Sequence, residues 1–321
     1  MDRVLVTDLI DPVGIALLAA RVEVVQPPDT SLGTLRALSR EVDAVITRSR
    51  LPDDLFEAAP RIRAVMIHGT GLDLVNIPAA SERGVMVGNI PGGNAQSVAE
   101  HCLMALMVLA RNFRTIDRSL RTDPWDTARS HAAQAVEVNG KTLGIVGVGH
   151  IGKALAKICR DGLSMRVLGH QRRLDALPAG VEPAALDTLL AESDFVVVTC
   201  PLTPETHHLV DAKRLVAMKP TAFLVNVGRG PVIDEAALVD ALTNGVIAGA
   251  MLDVYEHYRL EPGHPLLALP NVVLTPHLAG STRESRLRAG RIAAQETLRM
   301  LAGEPPHSFV NPERKPWLPK T

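Results

Sequence analysis

The sequence contains little cysteine, no excess of charge of either sign and no long apolar run. Its three cysteines, Cys102, Cys159 and Cys200, form no C-x-x-C pair, which excludes a disulfide framework and a cysteine-based zinc site. Lys and Arg number 34 against 35 for Asp and Glu, so we expect neither nucleic acid nor a membrane as a partner. No stretch approaches the roughly 20 apolar residues of a membrane span, and the first residues lack a signal-peptide pattern. We therefore expect a soluble, unprocessed protein of the reducing cytoplasm.

The chain has 321 residues, which at roughly 150 residues per domain suggests two domains. Hydrophobic residues make up 46% and charged residues 21%, as in globular proteins, so disorder and fibrous repeats are excluded. Short apolar runs alternate with segments of helical spacing, first from Arg3 to a fifth strand at Gly84 and again from Thr142 to a sixth strand at Val272. This alternation is typical of parallel strands joined by crossover helices. It predicts two Rossmann-like, doubly wound α/β domains, with a boundary near residue 98.

Two helical segments bear on the domain division. The residues 95–113 predict one long, mostly buried helix between the two series of strands. The residues 282–303 predict an amphipathic helix that follows the second sheet. We expect this last helix to return to the first domain, which gives a domain of residues 1–98 plus 286–321 and a second domain of residues 99–285.

A glycine motif, Gly147-Val148-Gly149-His150-Ile151-Gly152, comes directly after the strand that begins at Thr142 and opens the next helix. In this context G-x-G-x-x-G is typical of dinucleotide binding, because glycines let the backbone approach a pyrophosphate at a helix N-terminus. The alternative is a glycine turn between a strand and a helix. We predict a nicotinamide dinucleotide site here.

The end of the second strand of this series bears on the choice of cofactor. NAD sites usually place Asp or Glu there to bind the ribose 2′-hydroxyl. This chain has Gln171 at that point, followed by Arg172 and Arg173, whose guanidinium groups suit a 2′-phosphate. We therefore expect NADP(H), with NAD(H) possible if the two arginines are simply solvated in a surface turn.

Arg229 and His277 each follow a predicted strand of the second series, at the sheet edge where α/β enzymes bind ligands. An arginine fork suits a carboxylate or keto oxygen, and a histidine can exchange a proton near neutral pH. Singly, Arg229 could cap a carbonyl group and His277 could be a core residue. Their occurrence together in a dinucleotide domain favours a catalytic pair.

With these features the chain resembles the D-isomer-specific 2-hydroxyacid dehydrogenases, which include phosphoglycerate dehydrogenase and glyoxylate/hydroxypyruvate reductase. The resemblance covers nearly the whole chain. The matching stretches are Gly69–Asp73, Asn94–His101, Gly140–Gly144, the glycine motif, Pro201–Thr206, Asn226–Asp234, Leu252–Glu256 and Thr275–His277.

The resemblance implies a substrate domain built from both chain ends, a central nucleotide domain, a substrate cleft between them and a homodimer. In this family Arg229 would hold a small 2-oxo or 2-hydroxy acid, His277 would donate the proton, and Gly69, Thr70 and Gly71 would bind the substrate carboxylate. Residues implied at the cofactor are Gly147, Gly149, His150, Ile151, Gly152, Gln171, Arg172, Arg173, Cys200, Pro201, Thr206, Val227, Gly228, Arg229, Asp253, His277 and Gly280.

One position departs from the family pattern, which places a Glu before Pro as the partner of the catalytic histidine. Without gaps this position is Tyr258, and the nearest Glu-Pro comes three residues later, at Glu261. Either Glu261 reaches His277 or the carboxylate partner is absent.

Two consecutive histidines, His207 and His208, follow the Pro201–Thr206 stretch. We expect them to lie in an exposed turn, since the adjacent residues supply no third ligand, and we predict no metal site.

The sequence thus predicts an NADP(H)-dependent reductase of small 2-oxo acids such as glyoxylate or hydroxypyruvate. One alternative is an NAD-dependent enzyme like phosphoglycerate dehydrogenase, for which only His68 and Arg48 offer cationic groups near the substrate loop. The other is a non-catalytic nucleotide-sensing interaction protein of the same fold, like the C-terminal-binding-protein corepressors.

Overall fold

The computed structural model describes residues 1–317, which fold into two compact units. The first comprises Met1–Asn94 and the described chain from Ser281 onward, and the second comprises Ala95–Gly280. The predicted boundaries follow residues 98 and 285, whereas the observed boundaries follow Asn94 and Gly280. Both lie earlier because the helices Ala95–Ala110 and Arg283–Leu301 each belong wholly to one unit. Among the described residues, none of the helices has both the length and the apolar character needed to cross a bilayer.

The first unit contains a parallel sheet of five strands with the order β2-β1-β3-β4-β5. Its strands are β1 (Arg3–Val6), β2 (Glu23–Val25), β3 (Ala44–Thr47), β4 (Ala64–Ile67) and β5 (Met86–Gly88), and its first helices are α1 (Pro12–Ala19), α2 (Leu32–Ser39), α3 (Leu55–Ala58) and α4 (Ile77–Glu82). This order is one of the two common doubly wound arrangements. The central strands β3 and β4 are buried along their whole length, as strands covered on both faces must be.

The second unit contains a parallel sheet of seven strands with the order β12-β11-β10-β9-β6-β7-β8. Its strands are β6 (Thr142–Val146), β7 (Arg166–His170), β8 (Glu182–Pro183), β9 (Phe195–Val198), β10 (Phe223–Asn226), β11 (Gly249–Leu252) and β12 (Val272–Leu274). Its helices are α5 (Ala95–Ala110), α6 (Phe113–Thr122), α7 (Trp125–Ser130), α8 (His150–Leu163), α9 (Leu186–Glu192), α10 (Ala212–Ala217) and α11 (Glu235–Thr243). The first strand, β6, lies between β7 and β9, so the chain reverses its direction of winding there. This is the Rossmann order extended by one strand, and the predicted fold class is confirmed.

The two faces of the larger sheet bury different residues of the same strands. Val196 and Val198 of β9 pack in one apolar cluster, while Phe195 and Val197 pack in the other. Side chains of a strand alternate between faces, so both faces must be covered by helices. This explains why the strands appear in the sequence as continuous apolar runs.

The C-terminal helix α12 (Arg283–Leu301) packs against α1 in the first unit. A Cβ atom on Gly14 would lie 2.6 Å from the carbonyl oxygen of Gly290, so the two helix backbones touch where both residues lack a side chain. A Thr282–Ser285 capping box begins α12. The helix therefore packs on the part of the chain that contains α1.

Two details differ from the sequence prediction. The predicted helix over 95–113 ends at Ala110, because Asn112 adopts a left-handed conformation with φ of 48° and a new helix begins at Phe113. Strand β8 was not predicted, since it has two exposed residues and therefore no apolar pattern. The six other strands of this sheet and the five of the first unit follow the predicted runs.

Candidate active site

The glycine motif forms the turn between β6 and α8. Gly147 has a φ of +96°, and a Cβ atom there would lie 2.6 Å from the backbone nitrogen of Cys200. A Cβ on Gly152 would lie 2.8 Å from the Gly147 carbonyl oxygen, whereas a Cβ on Gly149 would meet no atom within 4 Å. Gly147 and Gly152 are therefore required by the fold, and Gly149 leaves open space at the start of the helix.

The N-terminus of α8 is suited to an anion. Gly149 is its N-cap, and among the described residues no side chain caps the first turn, which begins with His150 and Ile151. Backbone N–H groups at such a terminus carry partial positive charge and bind phosphate. The residues present fit the pyrophosphate of a dinucleotide.

The carboxyl end of β7 carries the predicted cofactor-selecting residues. Arg172 and Arg173 are exposed, and within residues 1–317 neither guanidinium forms an ion pair. The Gln171 amide donates to the Arg173 carbonyl oxygen at 2.7 Å, so it shapes this turn. No acidic side chain stands at the end of the strand where a ribose 2′-hydroxyl would be bound.

The segment after β9 forms a tight turn of its own. The Thr206 hydroxyl donates to the Pro201 carbonyl oxygen and accepts from the Thr203 backbone, both at 2.7 Å. Hydrogen bonding by Thr203 is the main cause that lowers the pKa of Glu205, and the charge of Arg172 contributes. Burial raises the pKa of the Cys200 thiol to about 11, so it stays protonated and forms a wall rather than a nucleophile.

Arg229 lies in a loop at the end of β10 that is held by Asn226. The buried Asn226 side chain accepts from the Gly228 N–H and donates to the Arg229 carbonyl oxygen, each at 3.0 Å. Cβ atoms on the flanking glycines would lie 2.7 Å from the Cys200 carbonyl oxygen and 1.7 Å from the Tyr255 carbonyl oxygen. Val227, between Asn226 and Gly228, bonds back to β9 through its N–H. The packing of this loop therefore fixes the backbone position of Arg229.

His277 lies in the loop that follows β12, and the loop is organised by Asp253 at the end of β11. The Asp253 carboxylate is 2% exposed and accepts from the Thr275 hydroxyl at 2.6 Å, the Leu278 N–H at 2.8 Å and the Ala279 N–H at 2.9 Å. The His277 N–H donates to the Asp253 carbonyl oxygen at 2.9 Å, and His277 has a left-handed φ of 51°. One carboxylate therefore fixes the backbone on both sides of the histidine.

His101 of α5 contacts the same loop at Thr275. Its Nε2 lies 3.4 Å from the Thr275 hydroxyl, and burial lowers its pKa while the charge of Asp253 opposes this effect. The Tyr255 hydroxyl donates to the Thr275 carbonyl oxygen at 2.8 Å. The sequence did not predict three residues that hold these loops, Asn226, Thr275 and Tyr255. Their hydrogen bonds to the loops of Arg229 and His277 are visible only in the folded structure.

The position that departs from the family pattern is close to His277. The Tyr258 ring approaches the His277 ring edge-on, with 6.0 Å between centroids, and Tyr258 is 75% exposed. Glu261 is also exposed, and its carbonyl oxygen accepts from His264. The pairing of Glu261 with His277 stays a prediction.

In the first unit, the predicted substrate loop follows β4. The Thr70 hydroxyl donates to the Ile90 carbonyl oxygen at 3.1 Å, and the Ile90 N–H donates to the Gly69 carbonyl oxygen at 2.8 Å. The Asn89 side-chain amide donates to the Thr70 carbonyl oxygen at 2.9 Å. Gly71 continues the loop and is half-buried. The loop is therefore fixed against the end of β5.

His68 directly precedes this loop and is neutral at physiological pH. Burial, with a smaller contribution from the charge of Arg48, lowers the pKa of His68 to about 4. Its Nε2 atom is shielded from solvent and has no hydrogen-bond partner among the described residues. His68 therefore adds no positive charge beside the predicted carboxylate-binding loop.

The structure brings most predicted site residues of the second unit to one edge of its sheet. The glycine motif, Arg172, Arg229, Asp253 and His277 all follow the carboxyl ends of parallel strands, with β11 between the strands that carry Arg229 and His277. Gly280 closes this unit. Ligands of open α/β sheets bind at this edge, so the arrangement is that of a dinucleotide-dependent active site.

Comparison with known proteins identifies the family. The family described as "D-isomer specific 2-hydroxyacid dehydrogenase, NAD binding domain" matches residues 103–279. A glyoxylate reductase of Thermofilum pendens is 38% identical over 97% of this chain and 95% of its own length. A D-3-phosphoglycerate dehydrogenase of Mycobacterium tuberculosis is 39% identical over 98% of this chain and 61% of its own length. The chain belongs to the D-isomer-specific 2-hydroxyacid dehydrogenase family.

A solved structure supports the same assignment. The NADPH-dependent glyoxylate/hydroxypyruvate reductase of Sinorhizobium meliloti, in complex with NADP and malonate, has a TM-score of 0.84 and 30% identity, with 98% of each chain covered. This chain is thus an NAD(P)-dependent D-2-hydroxyacid dehydrogenase with a nicotinamide dinucleotide as its cofactor. The family resemblance inferred from the sequence is confirmed.

Proposed function

We propose that this enzyme reduces glyoxylate or hydroxypyruvate with NADPH. The observation that carries the choice of cofactor is the end of β7, where Gln171, Arg172 and Arg173 stand in place of an acid. Both guanidinium groups are exposed and form no ion pair in the described chain, so they are available to a 2′-phosphate. The similarity to the reductases of Thermofilum pendens and Sinorhizobium meliloti supports the choice of substrate.

In this proposal the two catalytic side chains act on different parts of the substrate. The Arg229 fork binds and orients the 2-oxo acid, since its loop is fixed by Asn226 and by the packing of Gly228 and Gly230. His277 gives its proton to the oxygen of the 2-oxo group as that oxygen gains negative charge. When bound, the nicotinamide supplies the hydride for the carbon of the same group.

The first-unit loop contributes the remaining contacts in the proposal. Backbone N–H groups around Gly69, Thr70 and Gly71 bind the substrate carboxylate, and the bonds from Ile90 and Asn89 hold that loop in place. A small, singly charged substrate suits these groups. A homodimer in the cytoplasm, as in the family, completes the proposal.

A phosphorylated substrate is less well matched, although a phosphoglycerate dehydrogenase is similar in sequence. A phosphate group carries more negative charge than a carboxylate and requires additional cations. Of the two candidates near the loop, His68 has its pKa lowered to about 4 and is therefore neutral at pH 7. Arg48 would be the single remaining candidate.

The experiment that tests the proposal is a panel of 2-oxo acids in which oxidation of NADPH or NADH is followed. We expect turnover with glyoxylate and hydroxypyruvate, a higher kcat/KM with NADPH than with NADH, and much slower reaction with 3-phosphohydroxypyruvate. Preference for the phosphorylated acid would favour the phosphoglycerate-dehydrogenase alternative. Tight NADPH binding without turnover of any acid would favour a nucleotide-sensing interaction protein.

A further inference from the structure

We propose that His207, His208 and Glu256 form a binding site for a zinc ion. The two histidines lie between β9 and α10, and Glu256 follows β11. One ligand atom from each of the three side chains lies within 4.8 Å of the other two. The sequence prediction of no metal site considered the residues adjacent to the histidine pair, whereas Glu256 is 48 residues from His208 in the chain and close to it only in the fold.

The separation of two of these atoms matches zinc coordination better than a hydrogen bond. His208 Nε2 and Glu256 Oε2 are 3.5 Å apart, and each is shielded from solvent without a hydrogen-bond partner in the described chain. Two ligands about 2.0 to 2.1 Å from a tetrahedral zinc ion are themselves about 3.4 Å apart. An ion between these atoms would satisfy both, whereas buried polar atoms without a partner are unfavourable.

His207 completes a set of two imidazoles and one carboxylate. Its ring stacks on that of His208 with 4.0 Å between centroids, and one of its ring nitrogens lies within 4.8 Å of the ligand atoms of His208 and Glu256. His208 has a left-handed φ of 48°, so the side chains of His207 and His208 do not alternate in direction as they would in an extended strand. Zinc accepts such nitrogen and oxygen ligands, with water in a fourth position.

The surroundings favour a cation and orient Glu256. Two of the three residues, His208 and Glu256, border a cavity of about 470 Å³, whose wall also includes Asp234, Glu235 and Asp240. Glu235 accepts from the Glu256 N–H at 3.0 Å and pairs with His264 at 3.1 Å. The first contact fixes the backbone of Glu256 beside the proposed site.

Such an ion would link two segments of the active site. His207 directly follows Thr206, and Glu256 lies three positions after Asp253, which fixes the His277 loop. Zinc bound only by the folded chain would raise the thermal unfolding temperature. The three cysteines do not compete for the ion, since all are buried thiols.

The test is a titration of the chelator-treated, metal-free enzyme with Zn²⁺, followed by calorimetry and by thermal unfolding. We expect about one zinc ion per chain, a higher unfolding temperature with zinc, and no effect of Mg²⁺, which prefers oxygen ligands. His208→Asn keeps a residue that tolerates the left-handed conformation, and Glu256→Gln keeps the side-chain shape. Each should weaken zinc binding at least tenfold without lowering the unfolding temperature of the metal-free protein by more than a few degrees.

The matched control is His307→Ala, which removes another exposed histidine that pairs with a glutamate, Glu296, at 2.8 Å. This variant should bind zinc as the wild type does. Equal zinc affinity of the wild type, His208→Asn and Glu256→Gln would overturn the proposal. So would the absence of zinc binding to the wild type in the same titration.

Discussion

Asp253 is a buried side chain that holds the loop carrying His277. Its two carboxylate oxygens receive three hydrogen bonds from residues 275, 278 and 279, on either side of His277. Bonds to a charged acceptor are roughly twice as strong as neutral ones. The family resemblance implies that Asp253 lies at the cofactor, and the structure shows that it also holds the loop carrying His277.

Replacing Asp253 with Asn should disturb this loop. An amide nitrogen would face a backbone N–H of Leu278 or Ala279, leaving a buried donor without a partner, at a cost of about 1 to 3 kcal/mol in unfolding free energy. We expect kcat to fall at least tenfold through misplacement of His277. Chemical unfolding and steady-state kinetics measure the two effects.

Asp234→Asn is the matched control for this substitution. The Asp234 carboxylate accepts from the Ala237 N–H at 3.0 Å as the N-cap of α11, and Asn caps helices equally well. This variant should keep both its stability and its kcat. Equal effects of the two substitutions would remove the loop-holding role of Asp253.

Arg172 and Arg173 are the residues on which the proposed preference for NADPH depends. Replacing both with Ala should remove charged hydrogen bonds worth about 1.5 to 3 kcal/mol each and weaken NADPH binding at least tenfold. NADH binding should change little, because NADH has no 2′-phosphate. Arg111 and Arg129 are exposed arginines of the same unit, so their double Ala variant is the control for charge alone. Parallel losses for NADPH and NADH would contradict the assignment.

His68 should make stability depend on pH. Its folded pKa of about 4 lies below its ordinary value of 6.5, so the unfolded chain binds a proton first as the pH falls. Stability is therefore lost between pH 6.5 and 4, by an amount on the order of 2 kcal/mol after allowance for partial exposure. His68→Gln should flatten the plot of unfolding free energy against pH in this window. An unchanged slope would contradict a lowered pKa of His68 in the folded state.

At the scale of elements, the sequence predicts most of the fold because each strand and its following helix carry their own apolar pattern. The strand β6, the glycine motif and α8 occur consecutively, so their joint function is visible in the sequence. The sequence did not predict the helix break at Asn112 or the two-residue strand β8. The first depends on one backbone conformation and the second on pairing with β7, and neither leaves an apolar pattern.

The glycine motif permits a prediction that separates folding from binding. Gly147→Ala places a Cβ against Cys200 at a φ of +96°, so it should lower stability. Gly149→Ala meets no protein atom and has a φ of −80°, so the fold should tolerate it. Because the methyl group would occupy the space left for the pyrophosphate, Gly149→Ala should weaken NADPH binding at least tenfold. Unfolding temperatures and fluorescence titrations distinguish the two cases, and unaltered NADPH binding by Gly149→Ala would contradict the placement.

At the scale of the whole molecule, two open sheets with different strand orders share one chain, and the second carries the cofactor motif and both predicted catalytic side chains. The sequence identifies Arg229 and His277 because each follows a strand within a family motif. The catalytic roles of Arg229 and His277 stay predictions, and the sequence does not reveal the groups that hold their loops, such as Asn226 and Thr275, or the approach of Glu256 to His208. Those contacts join segments that are distant in the chain, and nothing in the local sequence of either partner specifies the other.

The most direct test of the central claim is the kinetic behaviour of His277→Ala with NADPH and glyoxylate. If His277 is the proton donor, kcat should fall by about 10² to 10⁴, the usual contribution of a positioned acid or base. NADPH affinity, measured separately by fluorescence, should change less than about threefold, because the glycine motif and the arginine pair remain. Undiminished kcat in this variant would contradict the account and remove His277 from the mechanism.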